Sequence, residues 1–380
     1  MNRKQITWWI WYCPNVLPMK HLCRKVAVVL AIVFGVLSME TQAAEGNDVR
    51  NPRFSPDGHA VIFDRCDPDY PDRCRINVYN VNTGTLGYYL APPGQTWMQA
   101  YYSDAGDKLV FVTGPIGDRN LDLFTQRQEV LPNYQIAVMN LDGSKMRVVT
   151  SVLGYKGMPA FSHSGKKVIF AMAEKLRDSG KTLAAFWDLW EIDLETGTVG
   201  LFAGRFKLFQ MGLSVYFPDD ERVLLNGDVP MAESLLGPKG SLAKSYGDYT
   251  SRYNSSIVFV VKRGQTVLLP PLFTDLGSAR GASLDARENT FFVADGGPKE
   301  GIRIRRSQTD GAPQSWSYPP HSHEQTTLFG TAVSRDGRFI AGVLSDGPLS
   351  LRNRKIMILD TASGVWREIA LPRDARQINR

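Results

Sequence analysis

Six strand-rich repeats, each opening with a polar turn between two apolar strands, predict an all-β fold, a six-bladed β-propeller of four-stranded antiparallel blades. Three observations carry this. A turn of the Ser-Pro-Asp-Gly type returns at Ser55, Ser103, Ser162, Phe217, Ser283 and Ser334, with spacings of 48, 59, 55, 66 and 51 residues. An apolar run follows each turn. A second hairpin then turns near a glycine in every copy, at Gly84, Gly143, Gly197, Gly264, Gly311 and Gly364.

The clearest copy is the first. Arg53-Phe54 leads into Ser55-Pro56-Asp57-Gly58. Pro presets φ, Asp bonds its own backbone and Gly accepts positive φ, so the four residues specify a tight reversal. Val61-Ile62-Phe63 forms the second strand, and Ile76-Asn77-Val78-Tyr79-Asn80-Val81 with Asn82-Thr83-Gly84 opens the second hairpin. The later turns read Asp104-Ala105-Gly106, His163-Ser164-Gly165, Pro218-Asp219-Asp220, Leu284-Asp285-Ala286 and Arg335-Asp336-Gly337. Their second strands are Leu109–Val112, Val168–Phe170, Val223–Leu225, Phe291–Val293 and Phe339–Ala341. Leu189-Trp190-Glu191-Ile192-Asp193-Leu194 and Ile356-Met357-Ile358-Leu359-Asp360 alternate as half-buried strands do. The fourth and fifth copies are degenerate. Four strands in some 50–60 residues is a propeller blade.

These repeats, above all Phe54-Ser55-Pro56-Asp57-Gly58 and Ile136-Ala137-Val138-Met139-Asn140-Leu141-Asp142-Gly143-Ser144, resemble those of the TolB-like six-bladed propellers. The resemblance covers roughly residues 48–372, the propeller part of that family. The sequence offers no counterpart of the N-terminal domain of TolB proper. The resemblance implies binding of protein partners in the cell envelope. Related propellers precede the hydrolase domain of prolyl-oligopeptidase-type enzymes, but no Gly-x-Ser-x-Gly elbow is present.

Residues 1–43 are expected to be a secretory signal peptide, with the true start possible at Met19. Lys20, Arg24 and Lys25 precede the apolar run Val26–Leu37, which Thr41-Gln42-Ala43 follows with small residues at a cleavage site. The run is short for a stable membrane span. The expected layout is therefore a leader (1–43), one propeller domain (44–372) and a short C-terminal tail (373–380) that adds no strand. The exported chain is periplasmic on this reading, with no transmembrane span after cleavage. An intact mass of the periplasmic form starting at Ala44 is expected; a mass retaining residues 20–43 overturns it.

Cleavage changes the charge argument. The 44 basic and 38 acidic residues of the whole chain, at net +6, fall to 39 and 37. A near-neutral balance gives no electrostatic footprint for nucleic acid. Cys13 and Cys23 leave with the leader; Cys66 and Cys74 remain, eight apart, and are expected to pair in an oxidising compartment.

Within a blade the first and third turns share one propeller face, and the connection between strands two and three lies on the other. Long insertions at 113–133, 171–186, 227–255 and 345–354, with the loop between Cys66 and Cys74, therefore gather on a single face. Long loops on a rigid scaffold collect binding residues. Lys239, Lys244, Tyr246, Tyr249, Arg252 and Tyr253 interleave basic and aromatic side chains there, a mix common in protein interfaces and also in ordinary exposed loops. They are the binding candidates.

Other chemistry is sparse. His321-Ser322-His323-Glu324 would juxtapose two imidazoles and a carboxylate if it were a strand, though a polar interblade connection explains it too. Asp67, Asp69 and Asp72 could offer oxygens to calcium or be solvated turn acids. His163 reads as incidental to its turn. No catalytic set, metal site or cofactor is expected. The reading is a binding scaffold for an envelope protein; the alternative is a saccharide lyase or hydrolase with its site at the central channel. A converging cluster of His, Arg and carboxylates at the channel mouth separates the two.

Overall fold

The polar turns at Ser55, Ser103, Ser162, Phe217 and Ser334 each join a first strand to a second in the computed structural model. It describes residues 48–69, 73–118, 120, 123–174, 176–178, 183–208, 211–228, 256–266, 281–285, 290–295, 302–306, 314–323, 326–347, 353–371 and 375–379. In each turn a backbone N–H three residues on donates to the leading carbonyl: Gly58 to Ser55, Gly106 to Ser103, Gly165 to Ser162, Asp220 to Phe217 and Gly337 to Ser334, at 2.8–3.0 Å. The serine side chain then locks the reversal. Ser55 Oγ donates to Asp57 Oδ1 at 2.5 Å and accepts from Ala60 N at 2.9 Å, and Ser334 repeats this with Asp336 and Phe339.

The first sheet is β1 (Asp48–Phe54), β2 (Ala60–Cys66), β3 (Cys74–Asn80) and β4 (Leu86–Tyr89). The second is β5 (Gln95–Tyr102), β6 (Lys108–Pro115), β7 (Gln135–Asn140) and β8 (Arg147–Val148), with helix α1 (Leu123–Val130) between β6 and β7. The third starts with β9 (Tyr155–Phe161) and β10 (Lys167–Ala173). A small hairpin, β11 (Leu176–Asp178) and β12 (Leu183–Ala185), intervenes before β13 (Asp188–Asp193) and β14 (Val199–Leu201) complete it. Then come β15 (Met211–Tyr216), β16 (Arg222–Asp228) and β17 (Ser256–Lys262). The next sheet is β18 (Gly281–Asp285), β19 (Thr290–Asp295), β20 (Ile302–Arg306) and β21 (Gln314–Trp316). The last repeat supplies β22 (Thr327–Val333), β23 (Phe339–Ser345), β24 (Lys355–Asp360) and β25 (Val365–Glu368), and β26 (Arg376–Gln377) ends the chain.

The molecule is an all-β propeller of four-stranded antiparallel blades, with one correction to the expected count. Five sheets carry four antiparallel strands; the fourth repeat gives the three-stranded sheet β15-β16-β17 among the described residues. Just after Lys262 the chain bonds to the segment that follows β14. Gly264 N donates to Phe202 O at 2.9 Å and Gly204 N to Gln265 O at 2.6 Å. The first strands follow one another in a closed circuit, β1 touching β5, β5 touching β9, and so on through β15, β18 and β22 back to β1.

The core lies between the sheets. Val61, Ile62 and Phe63 are consecutive and at most 1% exposed, because a blade is covered on both faces. Ile62 and Ile76 meet Trp97, Leu109 and Phe111 across the first boundary. Val110 and Val112 meet Val168 and Phe170 across the second, and Ile169 and Leu189 meet Val223, Leu225 and Phe259 across the third. The last sheet meets the first through Val343, Ile356 and Ile358 against Val49, Val61 and Phe63. The buried pair Arg354 Nη1–Asp48 Oδ1, at 2.9 Å, sits at this seam.

The C-terminal tail overturns a second expectation. It adds a strand: β26 runs parallel to β4 on the outer edge of the first sheet, with Arg376 opposite Gly87 and Gln377 opposite Tyr88. A two-residue strand has no periodicity to read, so only the position of its partner reveals it.

The Cys66–Cys74 disulfide is formed, and the two residues are directly opposite in the β2–β3 register. Closing so short a loop contributes about 2–3 kcal/mol by chain entropy. A Cys66→Ala/Cys74→Ala variant is expected to lose that much in denaturant unfolding, with no further loss on adding reductant. The expected leader lies outside the described residues. Among the described residues no helix is long and apolar enough to cross a membrane.

Candidate functional site at the channel mouth

The C-terminal ends of five first strands converge where the short polar turns leave them. β1 brings Phe54, β5 Tyr101 and Tyr102, β9 Phe161, β15 Val215 and Tyr216, and β22 Val333. Together they wall a cavity of about 90 Å³. The turns provide its rim: Ser55, Pro56, Ser103, Asp104, Ser162, His163 and Arg335. This is the short-turn face. Helix α1 and the β11–β12 hairpin lie in connections between second and third strands, toward the other face.

The rim carries one charged constellation. Asp104 pairs through Oδ1 with Arg335 Nη2, and its Oδ2 lies 3.3 Å from His163 Nε2. Asp220 accepts the His163 backbone N–H at 2.6 Å and that of Ser164 at 3.1 Å, tying the fourth turn to the third. The side chains of Asp104, Arg335 and His163 are 25–36% exposed, so the cluster is reachable from solvent yet anchored. Replacing Asp104, Arg335 and both by alanine should give a coupling energy of about 1 kcal/mol in a double-mutant cycle, as for other part-exposed pairs.

Beneath the rim the walls are aromatic and the ionisable groups strongly perturbed. Burial raises the Tyr101 phenol, with Arg53 and Arg335 opposing, and burial likewise raises Tyr102. Burial lowers the Arg53 guanidinium, against the pull of Tyr101 and Asp64, while Arg53 Nη1 donates to Pro52 O at 2.5 Å. Tyr216 is raised chiefly by burial, and its hydroxyl donates to Glu191 Oε2. These tyrosines stay protonated and offer amphipathic surface.

The rim serines are not free nucleophiles. Ser55 and Ser103 donate to Asp57 and Asp107 of their own turns, and Ser162 shares a hydrogen bond with Ser164. Their hydroxyls hold backbone.

The binding candidates Lys239, Lys244, Tyr246, Tyr249, Arg252 and Tyr253 lie outside the described residues. His321 and His323 do not share a strand; they lie in the turn before β22, where Ser322 N donates to Pro319 O and Thr326 N to His323 O. His323 faces Asp346 at 3.8 Å, both exposed. Asp67 accepts from the Asp69 backbone at 2.9 Å, an ordinary turn contact, and Asp72 lies outside the described residues. Among the described residues no cluster of three His, Cys, Asp or Glu could hold a metal ion.

His163, read as incidental to its turn, lies on the cavity rim beside Asp104. The position after each leading Ser or Phe reads Pro56, Asp104, His163, Pro218, Leu284 and Arg335. A turn needs only Pro or any small residue there. An acid, an imidazole and a guanidinium at one register position of three repeats was the legible signal, and stacking the repeats exposes it.

No family description matches the sequence, and no curated protein matches it. Solved structures do resemble the fold. TolB from Acinetobacter baumannii aligns with a TM-score of 0.53 at 14% identity, over 92% of this chain and 69% of that one. An oligogalacturonate lyase in complex with manganese aligns at 0.47 and 16%, over 87% of this chain and 78% of that one. A puromycin-hydrolysing peptidase from Mycobacterium tuberculosis aligns at 0.48 and 12%, over 89% and 55%. Likeness at such identities concerns the fold alone.

Proposed function

We propose that this chain is an exported, periplasmic binding propeller whose partner is another protein of the cell envelope, and that the three-stranded sheet β15-β16-β17 stands as its sixth blade. The observation that carries the binding reading is the size and lining of the channel-mouth cavity. At about 90 Å³ it is far below the roughly 300–1,000 Å³ of small-molecule sites. It admits a protein side chain or a few waters. Aromatic walls under a polar, self-paired rim suit a protruding knob from a protein partner, which buries Tyr and Phe surface while the rim keeps its hydrogen bonds. The basic and aromatic residues Lys239–Tyr253 of the long insertion supply a second contact surface in this proposal.

A photocrosslinking residue at the exposed rim position Ser164 tests it in intact cells. A discrete protein adduct, lost when Tyr101→Ala is added, supports the mouth as the docking point. Adducts only from a probe at Tyr246 would move the interface to the long-loop face.

The alternative, a saccharide lyase or hydrolase, is favoured by one observation: Asp104, His163 and Arg335 do converge at the mouth. Acidic and neutral polysaccharides incubated with the purified protein decide it. Cleavage abolished by His163→Ala would replace the binding reading.

A further inference from the structure

The outer edge of a propeller blade ordinarily ends in an unpaired strand, a row of free N–H and C=O groups open to strand addition. Among the described residues one blade departs from this: β4 carries β26 against its edge. The contact is built on both sides. Ile378 N donates to Tyr88 O at 2.8 Å. The Asn379 side chain then reads the Leu90 backbone twice, accepting from its N–H at 2.9 Å and donating to its carbonyl at 3.0 Å. Such two-way pairing selects an amide.

The acceptor is shaped for this segment. A Cβ at Gly87 would stand 2.9 Å from Ile378 Cδ1, and one at Gly143 would stand 2.5 Å from Asn379 Cβ. Two glycines on neighbouring blades thus open a slot for a branched aliphatic residue and the Asn after it. Ile378 packs on the core between the first and second sheets. The segment itself is held by two ladder residues, and so short a pairing opens readily.

From this geometry we propose that the outer edge of β4, with Gly87, Gly143 and Leu90, is a peptide-acceptor site for strand addition, occupied in cis by Arg376–Asn379 and able to take the same segment from a second copy of the chain. The occupant follows from the fit: the slot matches Ile378 and Asn379, and every copy carries both. Exchange of an identical terminal element is the ordinary route to a swapped pair.

Two complementary variants test it. A chain ending at Leu371 has an open acceptor and no tail. Gly87→Val keeps the tail and fills its own slot. Each is first shown folded by circular dichroism and size exclusion. Mixed, they are expected to form a one-to-one complex by analytical ultracentrifugation, while neither associates alone. The complex is expected to weaken at least tenfold when Ile378→Asp is added to the tail donor. Absence of a complex between two folded variants overturns the proposal. If either variant fails to fold, a protease site placed at 372–374 of the full chain is cut after folding and a labelled peptide of residues 374–380 is added. Saturable incorporation of that peptide supports the acceptor site. Release of the native tail with no incorporation overturns it.

Discussion

Removing Pro372–Arg380 is expected to lower the melting temperature by about 3–4 °C, although these nine residues contain only two ladder positions. The tail leaves the last sheet and lies on the first, so it crosses the seam between them. Ala375 packs with the core between the last and first sheets, and Ile378 with the core between the first and second. Partial burial of one isoleucine contributes about 1–2 kcal/mol. The Ile378 backbone bond and the paired Asn379–Leu90 bonds add about 0.5–1.5 kcal/mol each, less the entropy of ordering a terminus. A net of about 2–3 kcal/mol is the result. Full-length Ile378→Asp should reproduce most of it, because it removes the packing and leaves the chain length unchanged. Equal melts for the truncated and intact proteins would show that the interblade side chains close the ring unaided.

The second large effect is a pH dependence centred on Asp64. This residue of β2 is 1% exposed and joins two first strands at their bulges. Its Oδ2 accepts from Asn51 Nδ2 and its Oδ1 from the Gln99 backbone N–H, both at 2.7 Å. Asn51 and Gln99 sit at φ +53° and +56°, so the carboxyl holds two strained bulges, one on each blade. Burial pushes its pKa up to about 7, against the two hydrogen bonds and the nearby Arg50 and Arg53. Raised above the ordinary carboxylate value of 3.8, the group keeps a proton in the folded state that the unfolded chain releases. Its contribution to stability is therefore fully present below about pH 4 and is lost as pH rises to about 7. A shift of about three units corresponds to about 4 kcal/mol over that window.

Chemical denaturation of the parent and of Asp64→Asn from pH 4.5 to 8 isolates the effect. The difference between the two proteins should favour the parent at low pH, because the new amide turns its NH₂ toward one of two donors. It should narrow, then reverse, toward pH 8. A pH-independent difference would place the Asp64 proton outside this range.

The blades and the disulfide were legible because their causes are local. Asp57 and Gly58 specify a reversal within four residues, and Val61-Ile62-Phe63 reports burial on both faces by its own composition. Cys66 and Cys74 are joined through one hairpin. The charged rim was half legible. Asp104, His163 and Arg335 occupy one register position of the repeat, but a turn position does not say which way a side chain leans or which repeats face one another. The long-loop candidates at 239–253 have no described partner to set beside that rim.

What the sequence by itself determined is the strand-and-turn rhythm, and with it an all-β propeller of four-stranded blades, since turn chemistry and the two-residue period act over a few residues. Tertiary structure alone decided the rest. The fourth repeat shows three strands among the described residues, and Gly264 and Gln265 bond to Phe202 and Gly204, just past the third sheet. Asp48 meets Arg354 across 306 residues, and Leu90 meets Asn379 across 289. Such contacts depend on ring closure, which brings the first and last sheets together.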